Sequence, residues 1–326
     1  MLEIDQVSVR FGPTAAVSSC TLVIPDGAVT AVMGPSGSGK TTLLRAVAGI
    51  QHVDEGTIRW NGTDLSRVPP HRRRFALMFQ DYALFPHRSV AGNIAFGLRM
   101  QRWDEDATSA RVSEILDLVG LSGLGDRRVG DLSGGQQQRV ALGRTLAPEP
   151  RLVLLDEPLG SLDRVLRDQL IEDMRAIFET LGTTVLYVTH DRDEAFAVAD
   201  VVAVMGGGTI VRTGTPETLW NDPGTIFVAG LLGLDNIVTA ADLRPWLPVA
   251  AGDVRTAIVP GPAIQIAGGS GGEPAVVVRD RFQGGSHRVT VRTGSGLELH
   301  AETSEAWAPG TTVTVSVVAE GIRFLA

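Results

Sequence analysis

The sequence predicts an α/β domain built around a parallel sheet, followed by a small all-β barrel. Three observations carry this prediction. Short, wholly apolar runs such as residues 152–155 suit strands buried on both faces of a parallel sheet. A glycine-rich stretch at 34–39 lies between one strand-like run and a helical pattern. After Asn236, helical spacing gives way to short strand-like runs separated by glycines. A chain of 326 residues suits two domains, expected here at 1–235 and 236–326.

Bulk composition narrows the function. Hydrophobic content of 44% and charged content of 20% belong to a folded chain. The net charge of -8 argues against a nucleic-acid binder, because phosphate backbones reward clustered positive charge. Cys20 is the one cysteine, so no disulfide forms within the chain and a reducing compartment fits. Beside a β pattern its thiol reads as a small core residue. Residues 1–5 show no basic region leading into an apolar stretch, so no signal peptide is expected. No run reaches the ~20 apolar residues of a membrane helix, so action at a membrane requires a spanning partner. Of the 29 lysines and arginines, Lys40 alone is lysine. Where arginine fills nearly every cationic position, the remaining lysine marks a place that needs a compact charge on a flexible stem.

Along the chain, residues 30–33 read as a strand and 43–49 as a helix. Between them lies Gly34-Pro35-Ser36-Gly37-Ser38-Gly39-Lys40-Thr41-Thr42. Glycines let the backbone turn so that successive N–H groups face an anion, and the helix N-terminus adds its positive dipole end. Lys40 is expected to reach the β- and γ-phosphates of a nucleotide, and Thr41 to ligate Mg²⁺. A second anion cradle is expected at Leu132-Ser133-Gly134-Gly135-Gln136, where a serine and two glycines open another helix. One nucleotide does not need two cradles from one chain; two make sense if the second closes on another chain's nucleotide. The strand at 152–155 ends in Asp156-Glu157. Acids at the carboxyl tip of a buried strand sit where ligands bind in open α/β sheets. Asp156 is the candidate for Mg²⁺, and Glu157 for the general base that polarises the attacking water.

Together these residues resemble the ATPase subunits of ABC transporters, over about residues 2–235. Residues 132–136 match that family's signature loop. Gln80, in Phe79-Gln80-Asp81-Tyr82-Ala83-Leu84-Phe85-Pro86-His87, resembles the Q-loop. Ser161-Leu162-Asp163 resembles the D-loop, and His190, after the apolar run 184–188, the switch histidine. The resemblance implies a P-loop NTPase with a parallel-sheet core, an antiparallel β subdomain and a helical subdomain at about 81–135. It implies ATP and Mg²⁺ as cofactors, and two copies paired head to tail around two nucleotides. Gln80 would then sense Mg²⁺ and the attacking water. His190 would hold the γ-phosphate, and Asp163 would couple the two sites. Ser133, Gly134, Gly135 and Gln136 would meet the partner's nucleotide. Phe11 stands where the family places an aromatic that stacks on adenine. A groove beside the Q-loop, with 82–85 lining it, would receive a helix of a membrane-spanning permease. The Arg72-Arg73-Arg74 run reads as a solvated face, with phospholipid contact as the alternative.

In the tail, strands are expected at 256–266, 275–278, 287–293, 297–302 and 311–318, with a loop tip at Gly268-Gly269-Ser270-Gly271-Gly272. Its position resembles the transport-associated OB-type domain of some importer ATPases. Over 236–326, 7 arginines face 8 acids with few aromatics, which does not suit nucleic acid. Ligand sensing and dimer stabilisation are both compatible with these residues. The resemblance is closest to the ferric-iron, thiamine and polyamine branch, on the residues at 79–87 and 157–166 and the appended tail. The expected protein is thus the motor of an importer fed by an external binding protein, bound peripherally at the cytoplasmic face of the membrane. The alternatives are an exporter motor and a soluble ABC ATPase of DNA repair or translation. The latter usually carries two ATPase domains, a coiled-coil insertion or basic extensions, and none is read here.

Overall fold

A computed structural model describes residues 1–160, 164–248, 255–268 and 272–325. The chain folds as two units, Met1–Pro216 and Glu217–Ala326. The boundary expected at 235 falls inside the second of these units.

The first unit is built on two sheets. β1 (Leu2–Phe11), β2 (Thr14–Ile24), β4 (Glu55–Trp60) and β5 (Thr63–Asp64) form an antiparallel sheet in the order β2-β1-β4-β5. The other sheet contains β3 (Val29–Met33), β6 (Phe75–Met78), β7 (Leu152–Asp156), β8 (Val185–Thr189), β9 (Val201–Gly206) and β10 (Thr209–Gly214). Its order is β10-β9-β3-β8-β7-β6, parallel throughout except for the β9–β10 hairpin. Every residue of β3, β7 and β8 is buried, which is why these runs are apolar without alternation. Chain order and sheet order differ, and this difference builds the site. The four neighbours β3, β8, β7 and β6 place the segments after residues 33, 189, 156 and 78 side by side at one sheet edge.

The helix Lys40–Ala48 leaves that edge and buries Leu43, Leu44 and Val47 against both sheets. Cys20 lies in the same core, fully buried, and burial pushes its thiol up to about 11. Residues 90–146 contribute the helices Val90–Met100, Glu105–Leu118 and Gly134–Leu146. Ser89 and Asp104 cap the first two, accepting from the backbone N–H of Gly92 and Ala107. Val112, Ile115 and Val119 are buried along one face, with Leu116 half-buried beside them. A Cβ on Gly143 would come within 2.9 Å of Ile115 Cγ2, so a small residue lets these helices approach.

In the arginine run at 72–74, Arg72 and Arg74 are exposed, and Arg73 alone departs from the solvated face expected of the run. Arg73 is buried, and its guanidinium donates to the carbonyls of Ala46, Val47, Leu65 and Val68. It caps the end of the helix Lys40–Ala48, where unpaired carbonyls attract a cation. Gly49 makes room for it, because a Cβ there would lie 2.6 Å from Arg73 Cζ.

Among the described residues, the second unit carries the helix Ile226–Leu231 and eight strands. β11 (Ile237–Thr239), β12 (Thr256–Ile258) and β18 (Arg323–Phe324) form one sheet. β13 (Ile264–Ala267), β14 (Glu273–Gln283), β15 (Ser286–Thr293), β16 (Glu298–Thr303) and β17 (Thr312–Val317) form a second, in the order β13-β17-β14-β15-β16. The edge strands β13 and β16 approach each other, curling this sheet toward a barrel around Val277, Val289, Val291, Leu299 and Val315. The architecture is OB-like. The strand expected at 256–266 is two strands, interrupted by a 3-10 turn at Gly261–Ala263 where Pro260 and Pro262 cannot donate to a ladder. Most of the glycine loop tip, residues 269–271, lies outside the described residues. Trp220 belongs with the tail: Arg323 donates to its carbonyl and stacks 5.6 Å from its ring centroid.

Candidate nucleotide site

The phosphate loop leaves β3 at Gly34, and its geometry explains the glycines. A Cβ on Gly34 would sit 2.2 Å from Met205 O. One on Gly39 would sit 2.2 Å from Ala16 O, at φ +102. Neither position admits a side chain. Gly37 turns at φ +80 with open space around it. Pro35, Ser36 and Gly37 are exposed, whereas Ser38 and Lys40 are buried. Lys40 Nζ donates to Gly34 O at 2.8 Å and Pro35 O at 3.0 Å, so the loop curls around its own ammonium. Burial lowers the lysine's pKa, opposed by the charges of Glu157 and Asp156. Ser38 Oγ is buried with no hydrogen-bond partner among the described residues, as expected where an anion completes the loop.

Thr41 Oγ1 donates to Asp156 Oδ1 at 2.8 Å, joining the first turn of the helix to the tip of β7. Thr42, the next residue, is half-buried. Burial raises the Asp156 pKa; the Thr41 hydrogen bond and the charges of Arg45 and Lys40 oppose it, and Glu157 adds to it. A hydroxyl beside a carboxylate is a hard-oxygen pair suited to Mg²⁺, which takes one or two protein ligands and completes its shell with phosphate and water. Among the described residues no cluster of three His, Cys, Asp or Glu side chains is built to hold a metal by itself.

Glu157 turns out of β7 with φ +45, so its side chain leaves the direction Asp156 takes. Its Oε2 lies 3.2 Å from His190 Nδ1. His190 is exposed, and its neighbours are locked in place. Asp191 caps the helix Arg192–Val198, Thr189 Oγ1 accepts from Asp191 N at 3.0 Å, and Thr189 donates to buried Glu194 at 2.7 Å. Gln80 reaches the same place. A Cβ on Gly160 would lie 3.7 Å from Gln80 Nε2 and 3.8 Å from Glu157 Oε2. Lys40, Thr41, Asp156, Glu157, His190 and Gln80 thus gather at one sheet edge, as the strand order requires.

Phe11 ends β1 and is 54% exposed at the hairpin that also carries Ala16, the carbonyl packed on Gly39. Ser133 and Gln136 lie on the other helix start. They form a capping box, with Ser133 N donating to Gln136 Oε1 at 3.1 Å and Gln136 N to Ser133 Oγ at 3.4 Å. Ser133 and Gly134 are exposed, and Gly135 packs on Leu166, whose Cδ2 would be 2.9 Å from a Cβ there. Asp163, with Ser161 and Leu162, lies outside the described residues.

Two side chains that brace the segment after Gln80 escape a reading of the motifs. Asn93 holds the chain after Gln80: Phe85 N donates to its Oδ1 at 2.8 Å, and its Nδ2 donates to Phe85 O at 3.1 Å. Arg144 donates to the carbonyls of Tyr82 and Ala83. The partners are backbone atoms, which leave no mark in sequence beyond a buried amide and a half-buried cation.

Known proteins match this arrangement. A family model described as ABC transporter matches residues 17–160. The "Fe(3+) ions import ATP-binding protein FbpC" of Streptomyces avermitilis is 46% identical over 97% of this chain and 95% of its own length. The "Sulfate/thiosulfate import ATP-binding protein CysA 2" of Chromobacterium violaceum is 44% identical over 82% of this chain and 70% of its own. Among solved structures, a dimeric post-hydrolysis state of the ATP-binding cassette MJ0796 bound to ADP and Pi aligns with TM-score 0.59 at 26% identity. It covers 66% of this chain and 99% of that one. With the phosphate loop, the acidic strand tip and this kinship in agreement, the chain belongs to the ABC transporter family, as one of its ATP-hydrolysing subunits.

Proposed function

We propose that this chain is the motor of a binding-protein-dependent importer, with ferric iron as cargo. The observation that carries the reading is the 46% identity to a ferric-iron import subunit, sustained through both units over 97% of the chain. The sulfate importer subunit is the second reading, supported by similar identity over a shorter span.

Two copies pair head to tail, and each binds one Mg-ATP. Phe11 stacks on adenine. The backbone of Gly34, Pro35, Ser36, Gly37, Ser38 and Gly39 cradles the phosphates, with Thr42 at the helix start. Lys40 exchanges its loop carbonyls for β- and γ-phosphate oxygens. Thr41, Asp156 and Gln80 would hold Mg²⁺, which when bound neutralises phosphate charge. Glu157 takes a proton from the attacking water, a contribution of ~10²–10⁴ in rate. His190 holds the γ-phosphate and orients Glu157. Ser133, Gly134, Gly135 and Gln136 of one copy close on the nucleotide of the other, and Asp163 couples the two sites.

Among the described residues no helix is long and apolar enough to cross a membrane. As an import subunit of the kind it is similar to, the motor sits peripherally, on the cytoplasmic face, against a permease supplied by an external binding protein. Nucleic acid has no role in it. Residues 1–235 carry the nucleotide chemistry, and residues 236–326 serve regulation or dimer support. The test is uptake of labelled ferric iron, sulfate, thiamine and polyamines by a strain lacking the gene, complemented with wild type or Lys40→Ala. Restoration of iron uptake by wild type alone supports the proposal. Restoration of sulfate uptake moves it to the second reading, and no restored compound overturns it.

A further inference from the structure

Tyr82 and Ala83 are consecutive non-glycine residues with φ +59 and +45. Side chains crowd the backbone there, and such conformations persist only where their surroundings hold them. Arg144 does the holding. From the helix Gly134–Leu146, its Nη2 donates to Tyr82 O at 2.6 Å and its Nη1 to Ala83 O at 2.7 Å. The same guanidinium lies 5.4 Å from the Phe85 ring centroid. A planar fork can meet two successive carbonyls at once, which a lysine ammonium cannot match in geometry. Burial lowers the Arg144 pKa, with the charge of Asp81 opposing. The cation is half-buried.

The turn connects onward. Buried Tyr82 donates its hydroxyl to Pro158 O at 3.3 Å, one residue past Glu157. Two residues before Tyr82 stands Gln80, whose amide shares the space around Gly160 with the Glu157 carboxylate. The helix that carries Arg144 begins at the Ser133 capping box.

We propose that Arg144 is a positioning residue for hydrolysis: its fork locks the 82–83 turn and so fixes Gln80 against Glu157. It also bolts that turn to the helix whose first turn presents Ser133, Gly135 and Gln136. Closure of those residues on a partner's nucleotide then pulls directly on Gln80. The inference rests on the reading of Gln80 and Glu157 as parts of the hydrolytic site.

The test uses the full chain and four proteins: wild type, Arg144→Lys, Ala83→Gly and the double variant. Arg144→Lys is expected to lower kcat about tenfold while KM for ATP stays within about twofold, because the phosphate loop is untouched. Glycine adopts positive φ freely, so Ala83→Gly relieves part of the strain that Arg144 restrains. The double variant should therefore regain part of the lost kcat. General damage to the fold would instead raise KM and lower the thermal midpoint, with no relief from the glycine. Unchanged kcat in Arg144→Lys, a rise of KM in step with the loss, or no recovery in the double variant overturns the proposal. A wild-type chain without ATPase activity would overturn the functional reading beneath it.

Discussion

His190 Nδ1 lies 3.2 Å from Glu157 Oε2, across the boundary between two parallel strands that are 28 residues apart in chain order. In the proposed mechanism a proton on Nδ1 bridges the pair, and Nε2 meets a phosphate oxygen. In that mechanism the histidine orients the base and stabilises charge on the reacting group. His190→Ala is expected to lower kcat by ~10²–10³, the usual effect of removing one preorganised donor, with KM for ATP little changed. Steady-state kinetics over a range of ATP concentrations checks this.

Lys40 carries a more geometric prediction. Its ammonium fits between Gly34 O and Pro35 O, at 2.8 and 3.0 Å, in a loop whose glycines at 34 and 39 admit no Cβ. Arginine keeps the charge but brings a wider planar group. Lys40→Arg is expected to weaken ATP binding by more than about tenfold, the loss of ~1.4 kcal/mol or more. Equilibrium titration with ATP measures it. Wild-type affinity would mean that charge alone suffices.

Glu194 makes stability depend on pH. Burial raises its carboxyl above the ordinary 4.5, while the Thr189 and Tyr187 hydroxyls and Arg167 work against the rise. A carboxyl with a raised folded-state pKa binds its proton more tightly when folded. Its contribution is fully present below the unfolded value and is lost as pH rises from 4.5 through the folded value. Glu194→Gln removes this titration. The stability of the variant relative to wild type is therefore expected to increase from about pH 5 to about pH 8, measured by urea unfolding at both. A pH-independent difference would contradict the assignment.

What could be read in the sequence was local or repeated. The phosphate loop is contiguous, and its strand and helix flank it, so Gly34 through Thr42 were legible as a unit. The apolar runs at 152–155 and 184–188 announced buried parallel strands. Their neighbourhood was not legible: nothing local states that β8 lies between β3 and β7, and only that order brings His190 to Glu157. Arg73 and Arg144 were illegible for another reason. Their partners are carbonyls of distant backbone, and any residue supplies a carbonyl. In the tail, alternation at 256–266 suggested one strand, but Pro260 and Pro262 break it. The boundary was expected at 235, whereas Trp220, before it in the chain, pairs with Arg323 of the tail.

In the proposed function, Glu157 is the base of an ATPase that works as a pair. The most direct measurement compares ATP turnover and solution mass of the full chain, wild type and Glu157→Gln, with Mg²⁺ and ATP present. Turnover by wild type is expected, with a loss of ~10²–10⁴ in the variant, ATP binding retained, and a nucleotide-bound dimer of the variant. Wild-type turnover by Glu157→Gln would contradict it.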